Sequence, residues 1–420
     1  MRTCHLLLPI LAASLLAGMA QTAPPAKVTR TALLAAEASR AATPADLALL
    51  FEGAASRSPA LQRQAVRALG RLERPDLTAR IVPLLAAGDA GVRAEAANAL
   101  AQAAGQDLAA AAVARQAALK RLPAESDAEA RAALCEALGR LPISQPAEFH
   151  QVAGALLAAS KVRVPNQATG PYWTAANLAE AQEAAVKLEG ALRGFEALIR
   201  MRGKIAQAGP NVVQRLKEIV MRGAVPRHRR LALLALNPIP NGPDAETLAS
   251  AASDDDMQVR RLAAASPGAA SASLARAMSD PAPMVRYEAL RAWGRRFQGV
   301  EGCAPALRAM GEVDGHTALL AIDLLANCAA DAVAVDALSR LVGGTSWTGP
   351  GEGQHWHRSA HALVALAKIS PDRARPHVAQ AAKAEAWQVR MYAAAAAAAL
   401  ADGGTLKALA SDAHANVREA

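Results

Sequence analysis

One short phrase of sequence recurs along this chain and constrains its fold more than any other feature. In its full form an aspartate stands three residues before a Val-Arg pair, and a run rich in Ala and Leu follows. Self-similarity at a period of roughly 30–40 residues is the signature of a solenoid built from stacked units. The copies are Asp89-Ala-Gly-Val-Arg93, Asp127-Ala-Glu-Ala-Arg131, Asp256-Met-Gln-Val-Arg260, Met284-Val-Arg286, Trp387-Gln-Val-Arg390 and Asn416-Val-Arg418.

The composition indicates that the repeated units are helical. Hydrophobic residues make up 52% of the 420 residues, aromatic residues only 3%, and alanine about a quarter. Alanine is the best helix former, and no long stretch alternates with the period of two that strands require. We therefore predict an all-α fold, an α-solenoid of stacked antiparallel helix pairs.

Local signals place the helices of these pairs. Thr43-Pro44 and Ser58-Pro59 each put proline at a first helical position, where its missing N–H costs nothing. Gly70 follows an apolar run and is predicted to end its helix as a left-handed cap. Further helices are predicted at 76–87, 90–104, 106–121, 127–141, 174–201, 227–236, 256–265, 284–297, 315–328, 355–368 and 387–401.

The repeated phrase resembles HEAT repeats, and also the short HEAT-like repeats of phycobilin lyases. In those families each unit is an antiparallel helix pair, with Asp in the turn and Val-Arg opening the second helix. The resemblance covers residues 30–420 and implies a HEAT/armadillo-like superhelix, irregular at 160–225, where the unit is longer and no Val-Arg pair opens a predicted helix. Chemistry suggests structural roles: Asp accepts backbone N–H groups, Val packs inward, and Arg bridges to the Asp of a neighbouring turn.

The two ends of the chain carry their own predictions. Arg2 and His5 precede an apolar run at 6–17, and Gly18-Met19-Ala20 supplies small residues for cleavage, as in a secretory signal. We predict a signal peptide at 1–20, a leader at 21–29 and an exported protein, periplasmic or extracellular, without a membrane segment after cleavage. The chain ends at Ala420, about one turn into a predicted helix, so we expect the solenoid to be truncated there.

The charge of the chain narrows the class of partner. The net charge is +9, and positive charge on an exported protein points to anionic partners. A basic run at Arg227, Arg229 and Arg230 is one candidate for contact with a partner. The interleaved Asp254–Asp256 and the lack of an aromatic series argue against nucleic acid. We expect a monomer that binds other proteins.

Two inserted loops are further candidates for contact with a partner. The segment 161–173 combines basic residues with Tyr172 and Trp173, and the Gly-rich segment 343–357 contains Trp347 and Trp356. Aromatic and arginine side chains are typical anchors of protein interfaces. The alternative is that these rings fill irregular packing around the insertions.

Histidines and cysteines supply the remaining candidates. His355, His357 and His361 have a spacing that can chelate a transition metal. A solvated, adaptable loop is the commoner reason for such a cluster, and we expect neither metal nor cofactor. Cys303 and Cys328 are predicted at adjacent ends of one hairpin, where a disulfide is plausible. Cys135 is predicted to be buried.

No catalytic motif emerges from the sequence. It contains no His-Glu pair, no Cys-x-x-Cys-His, no Gly-x-Ser-x-Gly and no phosphate-binding glycine loop. The leading hypothesis is an exported scaffold that binds partners through a concave face and its loops. The alternative comes from residues 31–72, which resemble the exported HEAT-repeat region preceding a cyclophilin-type peptidyl-prolyl isomerase domain; this chain would then be the non-catalytic part of that enzyme.

Overall fold

The computed structural model describes residues 27–165, 174–202, 209–240, 242–329, 331–344 and 356–420. Of these residues none lies in a β-strand, and helices joined by short turns account for nearly all of the structure. The chain divides into two compact units, the first ending at Ala117 and the second beginning at Ala118. Each unit is a stack of antiparallel helix pairs, which confirms the predicted all-α solenoid.

The first unit starts with regular helices and contains one irregular one. Thr43 caps α2 as predicted, since its hydroxyl accepts the N–H of Asp46 and the Asp46 carboxylate accepts the N–H of Thr43. The helix predicted at 76–87 is broken into α4 and two 3-10 turns, Pro75–Leu77 before it and Val82–Ala86 after it. The second turn contains Pro83, which has no N–H to continue α4. The helices are α1 Arg30–Ala38, α2 Pro44–Ala54, α3 Pro59–Arg71, α4 Thr78–Ile81, α5 Ala90–Ala104 and α6 Leu108–Arg121, which contains the division.

The second unit continues the pairs to the end of the chain. Its helices are α7 Ala128–Arg140, α8 Pro146–Ala159, α9 Ala175–Arg202, α10 Pro210–Arg222, α11 Pro226–Leu236, α12 Ala245–Ala252, α13 Met257–Ala265, α14 Ser271–Ala277, α15 Pro283–Arg296, α16 Gln298–Glu301, α17 Ala304–Ala309, α18 Gly315–Leu325, α19 Ala332–Gly343, α20 Trp356–Ile369, α21 Pro371–Ala381, α22 Trp387–Ala399, α23 Gly403–Leu409 and α24 Ala415–Glu419.

The second helices of these pairs form one continuous row. Each member packs on the next, and this second-helix row consists of α7, α9, α11, α13, α15, α18, α20, α22 and α24. The valine of the repeated phrase lies at the centre of this packing, with Val259, Val285 and Val417 at most 1% exposed. The long helix α9 takes an ordinary place in the row, so the irregular region keeps the order of the solenoid.

Glycines near the ends of the second helices serve close packing and do not cap the helices. The prediction for Gly70 is wrong: α3 continues to Arg71, and the left-handed residue is Glu73, with φ of 55°. A Cβ on Gly70 would lie 2.6 Å from the Cα of Ala99 in α5. A Cβ on Gly139 in α7 would likewise lie 2.1 Å from the carbonyl oxygen of Gly194 in α9. Only glycine allows these backbones to approach so closely.

Candidate partner-binding site

A basic cavity of about 550 Å³ lies in the irregular region of the second unit. One wall is the segment 161–164 that follows α8, and the other is the C-terminal half of α10 with the turn at 223–224. Leu188 of α9 and Ile219 of α10 contribute apolar surface between the walls. We refer to this feature as the basic cavity.

Close packing of α7 against α9 fixes one side of the basic cavity. A Cβ on Gly190 would lie 2.3 Å from the Cα of Ala132, and one on Gly194 would lie 2.5 Å from the carbonyl oxygen of Cys135. With its backbone held against α7, α9 directs Leu188 to the cavity, while α10 packs on α8 and α11. The cavity therefore lies where the chain leaves α8 without continuing a helix.

Positive charge exceeds negative charge in the basic cavity. Arg215 donates through Nη2 to the carbonyl oxygen of Ser160 at 2.7 Å and lies 3.5 Å from the Glu218 carboxylate. Its Nε is buried without a hydrogen-bond partner in the part of the chain that the structure describes. Lys161, Arg163 and Arg222 are exposed, and no described residue forms an ion pair with them. This concentration of cations favours an anionic ligand.

The basic run after α10 is committed to ion pairs within the chain. Arg229 forms a bidentate pair with Asp254 at 2.6 and 2.7 Å, and Arg230 forms one with Asp256 at 2.9 and 2.7 Å. Arg227 lies 3.0 Å from Glu189 and remains more than half exposed. A partner would have to compete with these carboxylates, so a binding role for the three arginines stays a prediction.

The predicted bridges from an arginine to the acidic residue of a neighbouring turn are present, and Arg229 with Asp254 is one of them. We refer to these bridges together as the arginine ladder. Arg260 reaches Asp280 at 2.7 and 3.0 Å, while its Nη1 donates to two carbonyl oxygens of its own turn. Arg390 makes the same kind of contact with Asp412, at 2.7 and 2.9 Å. Arg286 pairs with a glutamate, Glu312, at 3.2 Å. The hydrogen bond from Arg390, followed by that from the N–H of His414, lowers the pKa of Asp412 to about 2. The ladder thus links neighbouring turns at Arg229, Arg260, Arg286 and Arg390. Within the described residues, Arg131 and Arg418 donate only to backbone carbonyl oxygens, so at these two copies the predicted bridge is not formed.

Part of the loop prediction lies outside the described residues. Tyr172, Trp173 and Trp347 lie outside the residues that the structure describes. The whole predicted signal peptide and most of the predicted leader lie outside them too. Trp356 is described: its ring stacks on His357 at 3.7 Å and meets the edge of Tyr392 at 6.2 Å. It is partly buried against the core of the second unit, and its contact with a partner stays a prediction.

His361 is the centre of a hydrogen-bonded chain across three second helices. Its Nδ1 lies 2.7 Å from Oδ1 of Asp323 in α18, and its Nε2 lies 2.8 Å from the Tyr392 hydroxyl in α22. Both ring nitrogens are therefore engaged, and His357 is held against Trp356, while His355 lies outside the described residues. No group of three metal-binding side chains is gathered in the described ranges. Burial, with the nearby Asp323 charge, raises the pKa of Tyr392.

The cysteines occupy two different environments. Cys303, at the start of α17, and Cys328, after α18, are joined by a disulfide with their Cα atoms 6.2 Å apart. Cys135 is fully buried in α7, and this burial raises the pKa of its thiol to about 12. A neutral buried thiol is inert, so Cys135 acts as a small core residue.

Sequence reasoning missed several residues of these two clusters. Arg215 belongs to no repeated phrase, and neither Asp323 nor Tyr392 was recognised as a neighbour of His361. The available signal was their spacing, since Asp323, His361 and Tyr392 are separated by 38 and 31 residues, about one repeat each. For Arg215 no comparable signal exists, because its position depends on how α10 packs against α8.

Comparisons with known proteins support the helical repeat. The sequence profile of HEAT repeats matches residues 47–139, and no curated protein matches the chain in sequence. No helix in the described ranges has the length and apolarity needed to cross a membrane.

Solved structures of karyopherins share the fold. In the Kap95:Nup1 complex the similar chain is 14% identical, with a TM-score of 0.55 over 91% of this chain and 57% of that one. Karyopherin Kap121p bound to the extreme C-terminus of the protein phosphatase Cdc14p is 14% identical, with a TM-score of 0.53 over 90% and 45%. This chain thus spans about half the length of these karyopherins. At such identity the likeness shows fold alone: the chain is an α-solenoid whose residues 47–139 match HEAT repeats.

Proposed function

We propose that the protein is an exported scaffold that binds a protein partner, with the basic cavity as its main contact. The observation that carries this proposal is the contrast between paired and unpaired arginines. Along the ladder the cations are matched by carboxylates, whereas the basic cavity collects Lys161, Arg163 and Arg222 without described acidic partners. Charged side chains that line a cavity, and that form no ion pair holding the fold together, are available to a ligand.

The shared fold gives secondary support. Solenoids of this kind offer extended surfaces for binding, and the karyopherin structures contain Nup1 and the C-terminus of Cdc14p as bound proteins. The pairing of Arg229, Arg230 and Arg260 with aspartates argues against these arginines as a surface for nucleic acid. The proposed partner is therefore a protein, and we propose that the scaffold acts as a monomer.

Site-specific photo-crosslinking tests this function. A photoreactive phenylalanine at Val164, which lines the basic cavity, is expected to form a covalent adduct with a partner protein in cells that naturally make this protein. The matched control places the same residue at Arg375 in α21, which is exposed and distant in sequence. Absence of an adduct at 164, or equal adducts at both positions, would contradict a specific protein-binding site.

Export is a separate part of the proposal. The apolar run at 6–17 and the disulfide between Cys303 and Cys328 support it, because disulfides persist in oxidising compartments. Alkylation of freshly lysed cells, followed by mass spectrometry, is expected to find both cysteines protected until reduction and a mature chain starting after Ala20. Free thiols at both positions in an uncleaved chain would show that the protein stays in a reducing compartment.

A further inference from the structure

The wall of the basic cavity formed by residues 161–164 has the character of a strand without a partner. It forms no helix or strand, and its exposure alternates: Lys161 and Arg163 are exposed, whereas Val162 and Val164 are half-buried. Within the described residues, no hydrogen bond engages the backbone of Val162, Arg163 or Val164. Unpaired backbone groups beside a cavity can bind an extended chain by strand addition.

The opposite wall supplies charge above an apolar floor. Arg215 and Arg222 of α10 face the cavity. Ile219 and Leu188 form its floor and are only 3% and 4% exposed, so most of the apolar surface open to a ligand comes from Val162 and Val164. The buried Nε of Arg215 still lacks an acceptor among the described residues. Carboxylates bind guanidinium groups through charge-assisted hydrogen bonds, and aliphatic side chains cover apolar surface. The described lining has no aromatic ring on which a nucleic-acid base could stack.

We propose that the basic cavity binds an extended acidic segment of the partner protein. This inference rests on the proposed function and names the chemistry of the partner. The main chain of the segment pairs with residues 162–164, and its carboxylates meet Arg163, Arg215 and Arg222. Its apolar side chains cover the half-buried Val162 and Val164. A volume of about 550 Å³ suits a few residues of such a chain.

Fluorescence anisotropy with defined peptides tests the inference on the full-length protein. The probe is a labelled decapeptide in which glutamate alternates with valine, and its control replaces every glutamate by glutamine. The acidic peptide is expected to bind at least about tenfold more tightly than the glutamine peptide, and added salt should weaken only the acidic one. Arg222→Glu and Arg163→Glu should each weaken binding of the acidic peptide about tenfold.

A matched charge reversal elsewhere controls for net charge. Arg295→Glu changes an exposed arginine of α15, and it should leave peptide binding within about twofold of wild type because the site lies elsewhere. All three variants change exposed side chains, so circular dichroism is expected to show an unchanged helix content.

Four results would overturn the inference. These are no measurable binding of the acidic peptide, equal binding of the glutamine peptide, equal effects of Arg222→Glu and Arg295→Glu, and equally tight binding of a single-stranded oligonucleotide or of inorganic polyphosphate. If photo-crosslinking at Val164 captures a partner while the acidic peptide fails to bind, the scaffold function stands and only the acidic segment is excluded.

Discussion

The regular repeats and the irregular region of the second unit use arginine in opposite ways. In the regular repeats Arg229, Arg260 and Arg390 each reach an aspartate of the next turn, and their side chains are less than one-fifth exposed. In the irregular region Arg163 and Arg222 are exposed around a cavity and have no acidic partner among the described residues. The difference separates arginines that hold the fold from arginines that remain available for binding.

The same contrast extends to the backbone. In the turns of the ladder, arginine side chains donate hydrogen bonds to backbone carbonyl groups. Arg260, for example, donates to the carbonyl oxygens of Asp254 and Asp255. The segment 162–164 has no such hydrogen bonds in the described structure. Backbone groups that are already hydrogen-bonded within a repeat cannot pair with a ligand, whereas unpaired ones can bind an extended chain.

The largest expected effect concerns the glycine contact that shapes the irregular region. Gly139→Val should lower the free energy of unfolding by about 3 kcal/mol, because its side chain would overlap the backbone of α9 at Gly194. Urea denaturation measures this loss. Gly154→Ala is the matched control, since nothing lies near that position and alanine stabilises a helix by about 0.5–1 kcal/mol. Equal stability of the two variants would show that α7 and α9 are not packed backbone to backbone.

The next effect tests the ladder itself. Arg260→Ala should cost about 2 kcal/mol of unfolding free energy, because the nearly buried Asp280 carboxylate loses its ion pair and keeps only the N–H of Ala282, and two carbonyl oxygens lose the arginine as donor. Arg295→Ala, an exposed arginine in the same unit, should change the free energy by less than about 0.5 kcal/mol. If the two substitutions have the same small effect, the ladder contributes no more than an ordinary surface charge.

A smaller effect concerns acid stability. The pKa of Asp412 in the folded protein is about 2, below its ordinary value of 3.8, because Arg390 and the N–H of His414 bind the ionised carboxylate. The pair therefore stabilises the fold fully above about pH 4, and this contribution is lost as the pH falls towards about 2. Denaturant unfolding at several pH values should show a shallower acid loss for Asp412→Asn than for wild type. Identical acid profiles would mean that Asp412 gains nothing from Arg390.

The smallest expected effect concerns the cavity. Arg222→Ala should change the free energy of unfolding by less than about 0.5 kcal/mol, since no described carboxylate loses a partner. The same variant should bind the acidic decapeptide more weakly than wild type. A stability loss as large as that of Arg260→Ala would abolish the distinction between the two classes of arginine.

Much of the fold could be predicted because its rules are local and repeated. The arginine recurs in every copy, the valine and the aspartate at a helix start recur in most or some of them, and Asp256, Val259 and Arg260 have the predicted roles. Gly70 was misassigned because a glycine near a helix end satisfies both the capping rule and the need for close packing. Only the approach of Ala99 from the next helix distinguishes the two.

The candidate site was only partly predictable. The sequence marked 161–173 by its charge and aromatic residues, but Arg215 and Leu188 join residues 161–164 only through the packing of α8, α9 and α10. The basic run at Arg229 and Arg230 looked free in sequence, yet each arginine meets an aspartate about 25 residues later. The resemblance of residues 31–72 to the region before an isomerase domain stays a prediction.

By itself the sequence determined that the chain is an all-helical solenoid, since helix propensity, caps and a repeated phrase act over short distances and need no knowledge of the rest of the fold. Only the tertiary structure decided which arginines form ion pairs with carboxylates. An ion pair between turns depends on the stacking of neighbouring helices, and a change in that stacking at α8–α10 leaves Arg163 and Arg222 beside a cavity.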